Sequence, residues 1–237
     1  MPIGFYARKA ASLPNPPYPM ATLRVIERGI AEAWRIIRDH PEGDFQLASA
    51  NEDRITLELR NCLMNNVLHS AAVPGFSHTL FRITREAKFE SFDGSHLDKM
   101  PDLHIDVIRD AVAELPSADG LFVECKPVGA QHPAGGEYCD KGISRFVSGQ
   151  YAWGMTQGMM VGYASLGYEM PRKLQGALRT RRKALRYKGE LRACPDGSPA
   201  GYLQHVHTSV HRRSFTYLVG GCKAPEIELR HVWLNRN

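Results

Sequence analysis

The stretch LFVECKPV, Leu121 to Val128, reads as a buried strand except at its middle, where Glu124 and Lys126 stand two residues apart. Residues at that spacing in a strand point to one face, so a carboxylate and an ammonium are set side by side next to apolar core. Upstream, DLHIDVI places Asp102, His104 and Asp106 on one face of another strand and Leu103, Ile105 and Val107 on the other. Two such strands, if neighbours, aim Asp102 and Glu124 at a common point, with Lys126 beside them. Buried carboxylates are costly unless paired or bound to a metal. A hard divalent ion such as magnesium takes one or two carboxylates, with waters and phosphate oxygens completing its shell.

A helix supplies a third acid. At about 100° per residue, Glu52 falls near the centre of the arc made by Ile55, Leu59, Cys62 and Leu63, while Glu58 lies at or beyond its edge. Glu52 thus faces the sheet, either as a metal-site acid or as a first-turn residue favoured by the helix dipole. Asp106 stands as the alternative to Asp102, and Glu58 as the alternative to Glu52. His104 either serves the site or simply packs beside it. The bland reading of the whole set is an edge-strand salt bridge between Glu124 and Lys126, with Asp102 a turn residue after Pro101. The apolar flanks of ECK, which read as buried on both faces, oppose that reading.

The elements that must carry these residues follow from periodicity. After a proline-rich arm (residues 1–20), ATLRVIERGIAEAWRIIRDH has helical spacing up to a Pro-Glu-Gly stop, and SANEDRITLELRNCLMNNVLHSA predicts a second helix with Ser or Asn as its cap. TREAKFESF, DLHIDVI and LFVECKPV read as strands. GISRFVSGQYAWGM suits a helix and GMMVGYA a buried strand. PRKLQGALRTRRKALRYKGELR reads as a helix with an apolar stripe and basic faces, followed by three alternating segments, YLQHVHTSVH, SFTYLVG and IELRHVWL. The order predicts an α/β (α+β) fold with one mixed central sheet flanked by helices, a single domain over residues 21–237 whose core spans about 45–168. The basic helix would cover 171–192, and the terminal strands, 201–235, would extend the sheet.

The 237 residues carry 30 lysines and arginines against 25 acids, net +5, compatible with a polyanionic partner without requiring one. Five cysteines, Cys62, Cys125, Cys139, Cys194 and Cys222, make no CxxC pair, which indicates neither a disulfide framework nor a zinc ribbon and points to a reducing cytoplasm. No apolar leader follows Arg8 and Lys9. Residues 146–168 lack charge, but their glycines and glutamines suit two buried elements rather than a membrane span. His205 and His207 share a strand face near His211, Cys194 and Cys222, yet without compact zinc-ligand spacing.

Pro101-Asp102, Glu124-Cys125-Lys126 and the preceding Glu52, in this order of helix and strands, resemble the PD-(D/E)XK nuclease superfamily, the restriction-endonuclease-like fold. The resemblance covers roughly residues 45–168. The ECK segment with GISRFVSGQYA and MMVGYA is also similar to uncharacterised restriction-like proteins of bacterial defence loci. It implies a metal-dependent endonuclease of anti-phage defence in which Asp102 and Glu124, with the main-chain carbonyl of Cys125, hold Mg2+, for which Mn2+ can substitute. Lys126 would handle the attacking water, and Glu52 would anchor a second ion or act through water. Arg145 and Gln150 on the following helix would touch phosphate or support the site. Arg181, Arg182 and Lys183 in the nine-base cluster from Arg172 to Arg192 are candidates for tracking a DNA backbone, and His211, Arg212 and Arg213 for lining the cleft. Cutting both strands implies a homodimer. The rival readings are a catalytically silent nucleic-acid-binding subunit of the same fold, a nuclease acting on RNA, and a nuclease subunit that needs partner proteins of a defence system. Nothing resembles a nucleotide-fuelled motif.

Overall fold

The computed structural model describes residues 13–109, 113–194, 204–218 and 220–236. Helix α1, Met20–Asp39, buries Leu23, Ile26, Ile30, Ala33, Trp34 and Ile37, the stripe expected from its spacing. Helix α2, Glu52–Cys62, starts where Asn51 Oδ1 accepts the Arg54 N–H at 2.9 Å. It runs on through a π-helical turn, Leu63–Leu68.

Seven strands form one mixed sheet: β1 (Phe81–Arg85), β2 (Leu103–Val107), β3 (Leu121–Val128), β4 (Gln157–Ala164), β5 (Tyr187–Ala193), β6 (His207–His211) and β7 (Ile227–Asn235). Their spatial order is β1-β2-β3-β4-β7-β6-β5. The central three, β3, β4 and β7, run parallel, and the remaining pairs are antiparallel. Parallel strands covered on both faces need near-continuous apolar sequence, which explains why GMMVGYA does not alternate and why IELRHVWL, expected to alternate, is buried at nearly every position. One face receives α1 and α2: Trp34 stacks on Tyr163 at 5.6 Å, and Thr56 Oγ1 meets the Tyr163 hydroxyl at 2.9 Å. Glu27 on the buried stripe of α1 pairs with Arg230 of β7, an ion pair buried on both sides. A π-helical segment, Gly135–Ile143, and helix α3, Ser144–Ser148, cover the other face of β3 and β4, with the Tyr138 hydroxyl reaching Met160 O at 3.2 Å.

The expected layout holds as α/β with a mixed sheet, with local corrections. The strand expected over 84–92 lies earlier, at Phe81–Arg85, and beyond it Phe89 makes one bridge to Lys99. The helix expected over 142–155 begins sooner as π-helix and stops at Gly149, whose φ of 78° breaks it. The basic helix expected over 171–192 is helix α4, Met170–Thr180, and ends there, because Tyr187 to Ala193 pairs with β6. SFTYLVG contributes a single bridge, Thr216 to Lys223, rather than a strand; Val219, like residues 195–203, lies outside the described residues. The last strand does not extend an edge. It inserts beside β4. Residues 1–12 of the proline-rich arm are outside the described set. Among the described residues no helix is long and apolar enough to cross a membrane.

Candidate active site

The site forms where the sheet forks. Strands β2 and β3 pair as far as Leu103 and Val123. Beyond that point the Cys125 N–H donates to Asp102 Oδ2 at 2.6 Å. A side-chain carboxylate thus takes the place of a strand carbonyl, which satisfies the main chain and pins Asp102 to the strand that bears Glu124 and Lys126.

Through this fork the acids of strand and helix meet one cation. The Lys126 ammonium is in direct contact with Glu52 Oε1, 2.9 Å from Cys125 O, 3.1 Å from Glu124 Oε1 and 3.7 Å from Asp102 Oδ2. The helix reaches this point because its entry is clamped: Arg236 Nη2, just past β7, donates to Leu47 O, Ala48 O and Ala50 O at 2.7, 3.0 and 2.9 Å. Asn51 then caps the helix that begins with Glu52. From the other side Arg145 Nη1 donates to Glu124 Oε1 at 2.8 Å and to the Tyr151 hydroxyl at 2.7 Å, which itself donates to Met100 O at 2.5 Å.

Glu124 is 0% exposed. Its second oxygen, Oε2, is buried and has no hydrogen-bond partner among the described residues. Burial, reinforced by the charge on Asp102, pushes its carboxyl up to about 8 against the pull of Lys126 and Arg145. Burial also raises Asp102 and Glu52, opposed in both by Lys126. Burial works against the Lys126 ammonium, but Glu124, Asp102 and Glu52 together outweigh it and hold Lys126 above the ordinary lysine range.

Asp102, Glu124 and the Cys125 carbonyl make an all-oxygen donor set of the kind a hard divalent ion takes. Among the described residues no group of three or more His, Cys, Asp or Glu is placed to hold a metal ion, and Lys126 stands between the acids. The unpartnered Glu124 Oε2 is the atom that fits an ion, since such an oxygen otherwise costs its full desolvation.

The expected site residues separate into groups. Glu52, Asp102, Glu124, Lys126 and Arg145 come together. Gln150 follows the same helix end, its main-chain N–H donating to Arg145 O. Glu58 pairs with Arg54 instead, and Asp106, half exposed, sits 3.4 Å from His104 Nδ1. His104 Nε2 meets Asp119 O at 3.0 Å, and burial holds its ring below the usual histidine range. Arg181 pairs with Asp140 at 2.7 Å, whereas Arg182 and Lys183 are exposed and Arg212 is exposed 3.7 Å from Glu226.

His211 and Arg213 do not line a cleft. Arg213 is fully buried, donating to Ala152 O and Trp153 O. His211 Nε2 shares the Ser209 hydroxyl with His231 Nε2 at 2.8 and 2.7 Å, and its Nδ1 meets Leu185 O. His207 Nδ1 meets His205 O at 2.8 Å. These contacts occupy both ring nitrogens of His211 and Nδ1 of His207.

Tyr151 and Arg236 escape sequence reasoning. Tyr151 looks like one more apolar residue of an uncharged run, and Arg236 lies far along the chain from the helix it clamps. Set against family models, curated proteins and solved structures, the chain matches none.

Proposed function

We propose that the protein is a divalent-metal-dependent phosphodiester hydrolase, an endonuclease of the restriction-like kind acting on DNA. One observation carries this reading: a wholly buried carboxylate keeps one oxygen unpartnered beside a second acid and the Cys125 carbonyl, which accepts from the Lys126 ammonium. A cluster kept only for stability fits poorly, because an apolar replacement of a buried ion network is often neutral or stabilising. Asp102, Glu124 and the Cys125 carbonyl would hold Mg2+ or Mn2+. The ion supplies a water of lowered pKa and withdraws charge from the phosphate oxygens.

The remaining work falls to the chain. Lys126, freed from the acids, would place its ammonium against the phosphate and the attacking water, a point charge suited to an oxyanion. Glu52 holds that ammonium at the mouth of the fork and is a hydrogen-bond acceptor for water. Arg145 keeps Glu124 oriented and offsets its charge, and Tyr151 fixes the guanidinium. Arg182, Lys183 and Arg212 are exposed cations for sequence-independent phosphate contacts. A homodimer would bring one such site to each strand.

The test is plasmid cleavage with magnesium, manganese or EDTA, comparing the parent with Asp102→Ala, Glu124→Ala and Lys126→Ala. Metal-dependent cutting lost in all three supports the reading. DNA retention without any cleavage in the parent would replace it with a binding subunit, and cutting of RNA alone would change the substrate.

A further inference from the structure

A cavity of about 630 Å³ opens beside the site, among residues to which nothing above assigns a role. Its walls include four aromatic rings, Phe89, Phe92, Trp153 and Tyr217, with Lys88, Glu90 and Asp93 as charged members. The rings are held in place. Trp153 Nε1 donates to Glu90 O at 2.9 Å, the Tyr217 hydroxyl donates to Trp153 O at 2.9 Å, and Phe92 stacks on Phe215 at 4.4 Å.

Its position ties it to the acids. The Phe89 ring packs 4.7 Å from Phe122, which precedes Glu124 by two on the same strand and so lies on the same face, about 7 Å away. Phe89 also exchanges both main-chain hydrogen bonds with Lys99, at 2.8 and 3.0 Å, three residues before Asp102. The Phe92 N–H donates to Gly149 O, at the end of the helix that bears Arg145.

We propose that this cavity takes a nucleobase, an inference that rests on the phosphodiesterase reading of the adjoining site. Aromatic faces bind bases by stacking whatever their sequence, and an enzyme that works on a strand gains selectivity by seating an extruded base in such a pocket. Asp93 adds an acceptor-only group. Its Oδ1 already takes the Ser91 and Ser95 hydroxyls at 2.7 Å, which leaves its other oxygen for a base bearing an exocyclic amine. Lys88 stands at the same cavity as a phosphate partner. The volume admits a whole nucleotide, so the base can come from a bound strand or from a free nucleotide.

Equilibrium binding in EDTA separates the outcomes. Fluorescence anisotropy compares a labelled single-stranded oligonucleotide with the same backbone made abasic. The expected result is roughly five- to a hundredfold weaker binding of the abasic strand, with the difference collapsing in Trp153→Leu and in Leu97→Trp. Leu97 lines the cavity yet is 66% exposed, so a larger ring there fills the mouth without disturbing the core. Deoxynucleoside monophosphates that displace the strand from the parent and not from these variants support the same pocket with a free-nucleotide source.

Equal affinity for both strands in the parent, or a difference that survives in both variants, overturns the proposal. Cleavage of DNA by the parent in magnesium, run in parallel, keeps the two readings apart. A parent that cuts without preferring bases loses only the pocket. One that prefers bases through these residues and never cuts keeps the pocket and loses the phosphodiesterase.

Discussion

Replacing Lys126 with methionine keeps the aliphatic stem and removes the charge that stands among the acids. The ammonium lies 3.1 Å from Glu124 Oε1 and 3.7 Å from Asp102 Oδ2 and touches Glu52. At an effective dielectric near 20, each of the first two pairs represents roughly 5 kcal/mol of gross attraction. Desolvation of the partners cancels most of it, and breaking a buried pair typically costs about 3–5 kcal/mol net. Lys126→Met should therefore lose about that much stability in EDTA, measured by urea unfolding. The same change should raise affinity for Mn2+, because an incoming ion no longer has to displace an ammonium from Glu124 and Cys125 O. If only a third of one gross pair energy is recovered, affinity rises about tenfold. Calorimetric titration with Mn2+, joined to melting curves with and without metal, reads both effects. A variant that binds Mn2+ no more tightly than the parent, and that metal does not restabilise, would show that the ammonium is a permanent structural member and that no ion belongs between these acids.

Asp102→Asn should abolish metal-dependent cleavage, whereas Asp106→Asn should leave it within about threefold, since Asp106 faces His104 rather than Lys126; plasmid nicking rates decide between them. Burial holds the His211 imidazole down to about 4, so between its unfolded value near 6.5 and pH 4 the unfolded chain binds the extra proton. Stability should fall as pH drops through that window, by about 1.4 kcal/mol per unit from this group, and His211→Gln should flatten the acid limb of a urea-midpoint profile by about one proton. Glu27→Gln should cost about 3–5 kcal/mol by leaving Arg230 buried without its charge partner, again by urea unfolding. Arg236→Met frees three carbonyls before Glu52; it should cost about 1–3 kcal/mol and weaken Mn2+ binding, which a neutral effect on calorimetry would contradict.

What sequence alone determined was local. The helical stripe from Leu23 to Ile37 and the apolar runs around Glu124 and in GMMVGYA declare their elements because burial period is written directly in residue order. Asp102, Glu124, Lys126 and Glu52 were legible because charges inside apolar strands, or on the inward phase of a helix, have few cheap explanations. Tertiary structure decided what neighbours do. The break between α4 and β5 follows from pairing with β6 across residues distant in sequence, so a helical pattern of leucines and arginines could not reveal it. The burial of Arg213 and His211 likewise depends on carbonyls and hydroxyls supplied by other segments. That the Lys126 ammonium stands between the three acids, that Tyr151 and Arg145 brace Glu124, and that Arg236 steadies the start of α2 are consequences of the fork between β2 and β3 and of the last strand entering the sheet's centre. Hydrogen bonds and ion pairs act over a few ångströms, and only the folded chain sets which residues fall within that distance.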